Sequence, residues 1–428
     1  MGCIPTKTQV GSAKAIATAR RGAELGFKVR KVEVDWPRIR QRKDEVVTLT
    51  RGRLERKLDE DSRIDLIRGS ARFLEPGRID VDGEAFVSTN TIIASGVAPV
   101  TPEIPGLIEA GFETNESVMD MEELPKAMVV IGGGPEGMEF SQLFHRLGVN
   151  VTVLQRRDRV LPREDAEISA HLESLLSNEG IDIRTNATPT AVERTGRGRL
   201  TVVAEIEGRE MRFDCDRILV AAGRKPHEIG DLDLNSAGVA GDPDAGIEID
   251  ETLQTSNSNI WAMGDVIGRL QYTHFAVHTA GVAVDNALRS AGRSFETNRV
   301  PGAVFTDPEV ASVGLTEAQA LDTGRNVKVG KQLMRRVGRA IAIGETEGFI
   351  KVVVDGDTEE LLGLHVIGHF GADLLPQGVA MLHTPERGIG PLAEALYPHP
   401  TLSEALKTAV TSLRPASSEI AASADSDE

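Results

Sequence analysis

One stretch of the chain, AMVVIGGGPEGMEFSQLFHRLGVNVTVLQRR, restricts the fold more than any other. An apolar strand runs into the glycine turn Gly132-x-Gly134-x-x-Gly137, and a helix and a second apolar strand follow. Such glycines permit a tight turn, a close approach of the backbone to a pyrophosphate and close packing of the helix on the strand. The context predicts a βαβ unit that binds a dinucleotide. The alternative is a purely structural glycine turn.

The end of the second strand indicates which dinucleotide would bind. A carboxylate there would accept a hydrogen bond from the adenine ribose of NAD, but the residues are Gln155, Arg156 and Arg157. Arginine forms charge-assisted pairs with a 2′-phosphate, so the sequence favours NADPH over NADH; the alternative is a solvated basic turn. Glu136 departs from the glycine pattern, because a carboxylate in this turn would compete with a pyrophosphate unless it points away.

The rest of the chain predicts further α/β organisation. Helices are predicted for residues 5–25 and about 36–58, and short strands for IDLIRG, ARFLEP and RIDVDG. A helix, a strand and a β-meander continue the dinucleotide unit. From residue 301 the segments AVFTDPEVASVGL, GFIKVVVD and LLGLHVIG predict an antiparallel sheet flanked by helices. The polar, small-residue end of the chain is predicted to be a disordered tail.

Composition excludes several classes of protein. The chain has 428 residues and a net charge of −17, so neither nucleic acid nor an anionic membrane surface is an expected partner. Two cysteines exclude a disulphide-stapled secreted fold and fit a reducing cytosol. The sequence shows no apolar run of the roughly 18 residues that a membrane helix needs, and no export signal. We therefore expect a cytoplasmic protein.

Several residues are candidates for chemistry. Strands ending in ASG, AAG and MGD place small residues at sheet ends, where cofactors bind; these are Ser95, Gly96, Gly223, Gly264 and Asp265. Cys3 is either a redox thiol or a small packed residue, whereas Cys215, on an alternating strand, is expected to pack. His399 and Glu404 are either a base with its orienting acid or part of a helix start capped through Thr401 or Ser403.

Seven motifs occur together in one order: GCIPTK, TIIASG, GGGPEGME, ILVAAGRKP, IWAMGD, FTDPEVASVGLTE and HPTLSE. The chain resembles the pyridine nucleotide–disulfide oxidoreductases, which include dihydrolipoamide dehydrogenase, glutathione reductase and mercuric reductase. The resemblance extends from residue 1 to about residue 412. It implies an α/β fold with two Rossmann-like nucleotide-binding domains, one for FAD and one inserted for NAD(P), and a C-terminal α+β dimerisation domain.

The resemblance also implies roles for single residues. Cys3 matches the second cysteine of the family's active disulphide, which lies against the flavin as a thiolate. Lys7 matches the lysine near flavin N5 and Glu139 the acid that pairs with it, while Asp265 matches the aspartate that binds the flavin ribityl chain. His399 and Glu404 match the acid–base pair contributed by the partner subunit of a homodimer. His274, in the THFA segment, is expected to contact the cofactor.

The family pattern begins earlier than this sequence does. A βαβ unit with its own glycine turn and the first redox cysteine precede the GCIPTK motif in the family, and neither occurs here. We therefore expect Met1 to be an internal methionine of a longer parent or the result of a deletion, and the FAD-binding domain to be incomplete. The expected division is 1–124 and 246–300 for FAD binding, 125–245 for NAD(P) binding, 301–412 for dimerisation and 413–428 for the tail.

Three functions remain open from the sequence. The first is a reductase that passes hydride from NADPH to FAD and then electrons through Cys3 to a disulphide, either lipoamide or a low-molecular-weight disulphide. The second is mercuric ion reduction, which is weakened because the chain has no additional C-terminal cysteine pair and has His399 where mercuric reductases have tyrosine. The third is a non-catalytic relative that folds, dimerises and binds nucleotide.

Overall fold

The computed structural model describes residues 2–226 and 229–416, apart from the side chain of Arg197. These residues form two compact units. The first contains the chain up to Gly22 together with Lys28–Asp158 and Ile181–Thr297. The second contains Ala23–Phe27, Arg159–Gly180 and the chain from Asn298 onward. The predicted domain boundaries at 124, 245 and 300 stay a prediction.

The first unit begins with the two predicted helices. They span Cys3–Arg20 and Trp36–Asp59, and the second begins where the Asp35 carboxylate accepts a hydrogen bond from the Arg38 backbone N–H. The prediction of a strand at IDLIRG is wrong, because this segment is irregular. Ile64, Leu66 and Ile67 of this segment are each more than 40% exposed. Its apolar residues therefore do not pack against a core, which is what alternating apolar residues of a half-buried strand would do.

The strands of the first unit form one four-stranded parallel sheet and several smaller sheets. The strands are Ala71–Glu75, Arg78–Val81, Glu84–Val87, Thr91–Ile93, Val97–Pro99, Ala127–Ile131, Asn150–Leu154, Asp182–Arg184, Ala187–Thr195, Arg199–Ile206, Arg209–Cys215, Arg217–Val220, Arg224–Pro226, Gly241–Asp242, Gly246–Ile247 and Ile260–Ala262. The further helices are Leu107–Ala110, Pro135–Arg146 and Thr273–Arg289. The ARFLEP and RIDVDG strands confirm the sequence predictions.

The parallel sheet carries the glycine turn. Its strand order is Arg217–Val220, Ala127–Ile131, Asn150–Leu154, Asp182–Arg184, and its apolar strands are largely buried, as both faces of a parallel sheet usually are. The predicted β-meander forms a separate antiparallel sheet that ends at Cys215. Cys215 is buried, as expected for a packing residue, and this burial raises the pKa of its thiol to about 12.

The second unit is an antiparallel sheet with helices. Its strand order is Gly302–Val304, Glu309–Gly314, Leu361–Gly368, Phe349–Asp355, Val327–Leu333, Arg414–Pro415. Its helices are Ala166–Glu179, Glu317–Asp322, Gly338–Ile343, Gly371–Leu374, Pro376–Leu382, Gly390–Glu394 and Glu404–Thr411. The two central strands, Phe349–Asp355 and Leu361–Gly368, are buried along their whole lengths and form the core with the helices.

The predicted tail, 413–428, starts too early. Arg414 and Pro415 pair with Val329 and Lys328 as the edge strand of the sheet, and Leu413 packs against the core. Backbone pairing to an available sheet edge therefore orders residues that their composition assigned to a tail. Residues 417–428 lie outside the described part of the chain. None of the described helices has the length and apolar content that a bilayer crossing requires.

A buried lysine organises charges inside the second unit. The Lys351 side chain is only 3% exposed, and its ammonium donates to Asp165 Oδ1 at 2.9 Å and lies 2.7 Å from Glu317 Oε2. Glu167 Oε2 lies 3.2 Å away. Burial alone would lower the pKa of Lys351, but the charges of Asp165 and Glu167 outweigh it and raise the pKa. Lys351 therefore remains charged in the core, where its ammonium is paired with three carboxylates.

We expect Lys351→Met to lower the free energy of unfolding of the second unit by about 3–5 kcal/mol, because it leaves the Asp165 carboxylate buried without its cation. The measurement is chemical denaturation at pH 7 followed by circular dichroism. The control is Lys331→Met, since Lys331 is 39% exposed and reaches Glu167 only at 3.4 Å. That change should cost no more than about 1 kcal/mol. Equal losses in the two variants would contradict the assignment of a buried network.

Candidate functional site

The glycine turn follows the strand Ala127–Ile131 and opens the helix Pro135–Arg146. Gly132 has a φ of +115°, and a Cβ there would lie 2.3 Å from the Ala221 carbonyl oxygen. A Cβ on Gly137 would lie 2.0 Å from the Gly132 oxygen, so helix and turn are in direct contact. A Cβ on Gly134, by contrast, meets nothing within 4 Å. The turn thus has two glycines for packing and one that leaves open space for a close ligand, which fits a dinucleotide pyrophosphate.

The residues after the second strand separate into one buried and two exposed side chains. Gln155 is 7% exposed, and its Oε1 accepts a hydrogen bond from the Gly133 backbone N–H at 3.4 Å. Arg156 and Arg157 are exposed. Gln155 therefore supports the glycine turn itself, while the two arginines are free to approach a ligand at the carboxyl end of the parallel sheet.

Glu136, the departure from the glycine pattern, is directed toward other charges of the first unit. Its Oε1 lies 4.0 Å from Arg224 Nη1, at the start of the strand Arg224–Pro226. Burial raises the pKa of Glu136; the positive charge of Arg224 opposes this shift, and the negative charge of Glu139 adds to it. The carboxylate has a cationic partner near the turn.

The N-terminal helix brings Cys3 and Lys7 onto neighbouring turns. The Lys7 ammonium donates to Glu139 Oε2 at 2.6 Å, and Glu139 is 4% exposed on the helix that follows the glycine turn. Cys3 is exposed, and its Sγ lies 3.4 Å from the Thr273 hydroxyl. The structure thus joins Lys7 to Glu139 as predicted, and places a hydroxyl beside the thiol.

The small-residue turns lie at the ends of paired strands. Thr91–Ile93 and Ile260–Ala262 pair in parallel, so Ser95 and Gly96 leave the same sheet edge as Gly264 and Asp265. The position of Gly96 has a φ of +79°, and a Cβ there meets nothing within 4 Å, so the backbone is open to a ligand. Burial raises the pKa of the Asp265 carboxyl, and the charge of nearby Arg224 opposes this.

Two further predicted cofactor residues lie elsewhere in the first unit. Gly223 has a φ of +112° and open space at its Cβ position, and its carbonyl accepts from the Val100 backbone N–H. His274 is exposed, and its ring stacks on Tyr272 with 5.3 Å between ring centroids. Open glycine backbone and an adjacent carboxylate can receive the hydroxyls and phosphates of a flavin nucleotide, so the residues fit such a cofactor.

The second unit holds the predicted acid–base pair. His399 Nδ1 lies 2.9 Å from Glu404 Oε1, and the His399 side chain is 78% exposed. Glu404 Oε2 also accepts from the Thr401 backbone N–H at 2.9 Å, which lowers the pKa of this carboxyl together with the contact to His399. Glu404 therefore orients the imidazole and also binds the backbone just before the helix Glu404–Thr411, whereas neither Thr401 nor Ser403 caps this helix through its hydroxyl.

Sequence reasoning missed two side chains of these clusters. Thr273 contacts the Cys3 thiol although the two are 270 positions apart, and Arg224 is the cation shared by Glu136 and Asp265. Each lies inside a quoted motif, Thr273 beside His274 and Arg224 directly after Gly223. Their positions next to predicted cofactor residues could have identified them as candidates for the site.

Comparison with known proteins supplies the family. Residues 1–280 match the model described as pyridine nucleotide-disulphide oxidoreductase, and residues 300–410 match the dimerisation domain of the same family. The chain belongs to the pyridine nucleotide-disulphide oxidoreductase family. Its members are flavin-dependent oxidoreductases that act on sulfur groups with NAD(P)H, and this is the function of the chain. The dimerisation domain makes it a homodimer.

Relatives with different activities are about equally similar. Mercuric reductase of Staphylococcus aureus is 34% identical over 409 residues, which cover 96% of this chain and 74% of the relative. Dihydrolipoyl dehydrogenase of Bacillus subtilis is 35% identical over 424 residues, covering 95% and 88%. The solved HOCl-induced flavoprotein disulfide reductase RclA of Escherichia coli matches with a TM-score of 0.84 and 29% identity, over 96% of this chain and 90% of that one.

Proposed function

We propose that this family member uses NADPH to reduce a small disulphide, lipoamide or a low-molecular-weight disulphide, and that Cys3 carries the electrons to it. The observation that supports this best is the exposed Cys3 thiol beside Thr273, on the same helix as the Lys7–Glu139 pair. The overall reaction consumes one NADPH and one proton and yields NADP⁺ and two thiols per disulphide.

The first unit would hold FAD at the sheet edge formed by Gly96, Gly264 and Asp265. When bound, FAD supplies two-electron transfer between a reduced nicotinamide and a disulphide. Asp265 would accept hydrogen bonds from cofactor hydroxyls, and Lys7, fixed by Glu139, would place a positive charge near the cofactor. The Thr273 hydroxyl would form a hydrogen bond with the Cys3 sulfur and hold it in position.

The second unit would supply acid–base catalysis to the partner subunit of the homodimer. Glu404 holds His399 through Nδ1, which leaves Nε2 for proton transfer. In the proposed reaction the Cys3 thiol attacks one sulfur of the substrate disulphide, forms a mixed disulphide and releases the first product thiol; His399 Nε2 takes the proton of the attacking thiol and returns it to the departing thiolate. Two electrons from NADPH then break the mixed disulphide, which releases the second thiol and restores Cys3. The high exposure of His399 within its own chain is consistent with a target on another subunit.

A disulphide substrate is favoured over mercuric ion. Mercuric ion needs soft thiolate ligands, and of the two cysteines in the sequence only Cys3 is exposed. Imidazole at position 399 suits proton transfer to and from thiols better than it suits a soft metal. The similarity to mercuric reductases nevertheless makes Hg(II) the necessary second acceptor in the test.

The test compares electron acceptors for the purified, FAD-containing protein with NADPH under anaerobic conditions. We expect lipoamide or glutathione disulphide to yield two thiols per NADPH consumed, with no turnover above background on thiol-complexed Hg(II). NADPH oxidation that depends on Hg(II) and not on any disulphide would support the mercuric alternative. Reduction of artificial dyes alone would support a relative without disulphide reductase activity.

The coenzyme preference is expected to depend on Arg156 and Arg157. Replacing both with alanine should raise the KM for NADPH roughly tenfold or more, since each charge-assisted hydrogen bond contributes about 1.5–3 kcal/mol. The KM for NADH should change little, and Arg209→Ala, an exposed arginine on the meander, serves as the control. Equal changes in the two KM values would contradict a 2′-phosphate contact.

Glu136 is expected to weaken nucleotide binding. Glu136→Gln removes a negative charge from the start of the helix that follows the glycine turn, and we expect a severalfold lower KM for NADPH, corresponding to about 0.5–1 kcal/mol. The value of kcat should stay unchanged. Steady-state kinetics at low ionic strength test this, with exposed Glu123→Gln as the matched control. A higher KM in Glu136→Gln would show instead that the carboxylate helps binding.

A further inference from the structure

Three side chains of the second unit with metal-binding atoms converge outside the proposed acid–base pair. They are Asp307, Glu345 and His369, each half-buried, and one ligand atom of each lies within 4.8 Å of the other two. His369 Nδ1 is 4.0 Å from Glu345 Oε2. We propose that these three residues form a binding site for a divalent first-row transition metal ion, with Zn²⁺ as the probe. The proposal does not depend on the disulphide reductase function.

The sheet register brings the three residues together. Asp307 lies in the turn between the first two strands of the sheet, and Glu309, at the start of the second, pairs with Gly368. His369 follows Gly368 directly. Glu345 comes just after the helix Gly338–Ile343, where its backbone N–H donates to the Ala340 carbonyl at 2.9 Å. Three separate segments therefore present their side chains at one end of the sheet, each anchored by backbone hydrogen bonds.

The distances suit a shared ion. Two ligands of one tetrahedral zinc ion, each bonded at about 2.0–2.2 Å, are about 3.3–3.6 Å apart, so side-chain rotations must shorten separations that now reach 4.8 Å. The 4.0 Å between Glu345 and His369 is too long for a hydrogen bond and exceeds this tetrahedral separation by only about half an ångström. The Phe370 ring packs on the His369 imidazole with 4.0 Å between centroids, which restricts the orientation of the imidazole.

The donor set defines the class of metal. One imidazole nitrogen and two carboxylate oxygens match the ligands of zinc and its neighbours, whereas calcium and magnesium prefer oxygen alone. Two carboxylates balance the charge of a divalent cation. Three protein ligands leave a further position for water. All three ligands belong to the second unit, so the ion would join three segments of the dimerisation domain.

The test is calorimetric titration of Zn²⁺ into the EDTA-treated, dialysed protein, in a Cys3→Ser background that removes the exposed thiol. We expect one Zn²⁺ per chain, and an affinity at least about tenfold lower in His369→Gln and in Glu345→Gln. The double variant should lose the site. His383→Gln, which changes an exposed histidine of the same unit, is the matched control and should bind as the background does.

Two results would overturn the proposal. One is unchanged stoichiometry and affinity in the double variant, and the other is weak binding at many surface positions with no single equivalent. Circular dichroism monitors folding of each variant. If a glutamine variant does not fold, Asp307→Asn provides the same test, because it removes one ligand while keeping nearly the same side-chain volume. A Zn²⁺-dependent rise in Tm should then occur in the background protein and be absent from the folded ligand variant.

Discussion

Replacing Cys3 by serine is expected to abolish NADPH-dependent reduction of disulphides while leaving NADPH-dependent reduction of artificial dyes. Serine keeps the size and the hydrogen bond to Thr273, but its hydroxyl forms no thiolate and no bond to a substrate sulfur at neutral pH. Dye reduction bypasses the thiol, so it reports that FAD and NADPH still bind. Parallel assays with lipoamide and with a one-electron dye measure the two activities on the same preparation.

The control for this prediction is Cys215→Ser. Cys215 is buried in the meander, and its thiol has a pKa raised to about 12, so it takes no part in exchange. We expect Cys215→Ser to keep both activities. Loss of disulphide reduction in Cys215→Ser, with Cys3→Ser active, would reverse the assignment of the reactive thiol. Loss of dye reduction in Cys3→Ser would show that the residue is needed for cofactor binding.

His399→Asn is expected to lower kcat/KM for the disulphide roughly 10²–10⁴-fold, the usual contribution of a positioned acid–base group. Asparagine can keep a hydrogen bond to Glu404 but cannot carry a proton between thiols. Dye reduction should be unaffected, because the second unit's imidazole has no part in it.

Two variants separate this chemistry from folding. Glu404→Gln should lower disulphide reduction less than His399→Asn, since it weakens the orientation of the imidazole without removing it. His383→Asn, on an exposed histidine of the same unit, should retain full activity. Equal losses in His399→Asn and His383→Asn would argue against a specific acid–base role.

Local patterns predicted the parts of the fold that depend on local chemistry. The glycine turn with its flanking strands and helix follows from a short motif and agrees with the structure, as does the burial of Cys215 at the end of its strand. The Lys7–Glu139 pair was implied by the family resemblance and is present in the structure. These motifs specify geometry through residue type. A backbone φ of +115°, as at Gly132, strongly favours glycine, and an apolar run of this kind is typical of a buried parallel strand. The irregular IDLIRG segment shows where local patterns fail, since alternating apolar residues form a strand only where another strand is available for pairing.

Residue patterns alone did not predict which side chains from distant parts of the sequence would meet. Lys351 meets Asp165 across 186 positions, and Cys3 meets Thr273 across 270. Lys351 interrupts an otherwise apolar strand, but the residues near it do not indicate which carboxylates would surround its ammonium. Likewise, the sequence did not indicate that Arg224 would lie 4.0 Å from Glu136. Each of these pairings depends on tertiary register, which a single sequence does not specify.

The most direct test of the central claim is the redox state of Cys3 during turnover. The FAD-containing protein is alkylated anaerobically before the disulphide is added, after the disulphide, and after the disulphide followed by NADPH, and labelling is quantified by peptide mass spectrometry. We predict that labelling of Cys3 falls with the disulphide, because a mixed disulphide forms, and rises again with NADPH, while buried Cys215 stays unlabelled in the native protein throughout. Labelling of Cys3 that stays constant while NADPH is consumed would contradict the proposed path of electrons.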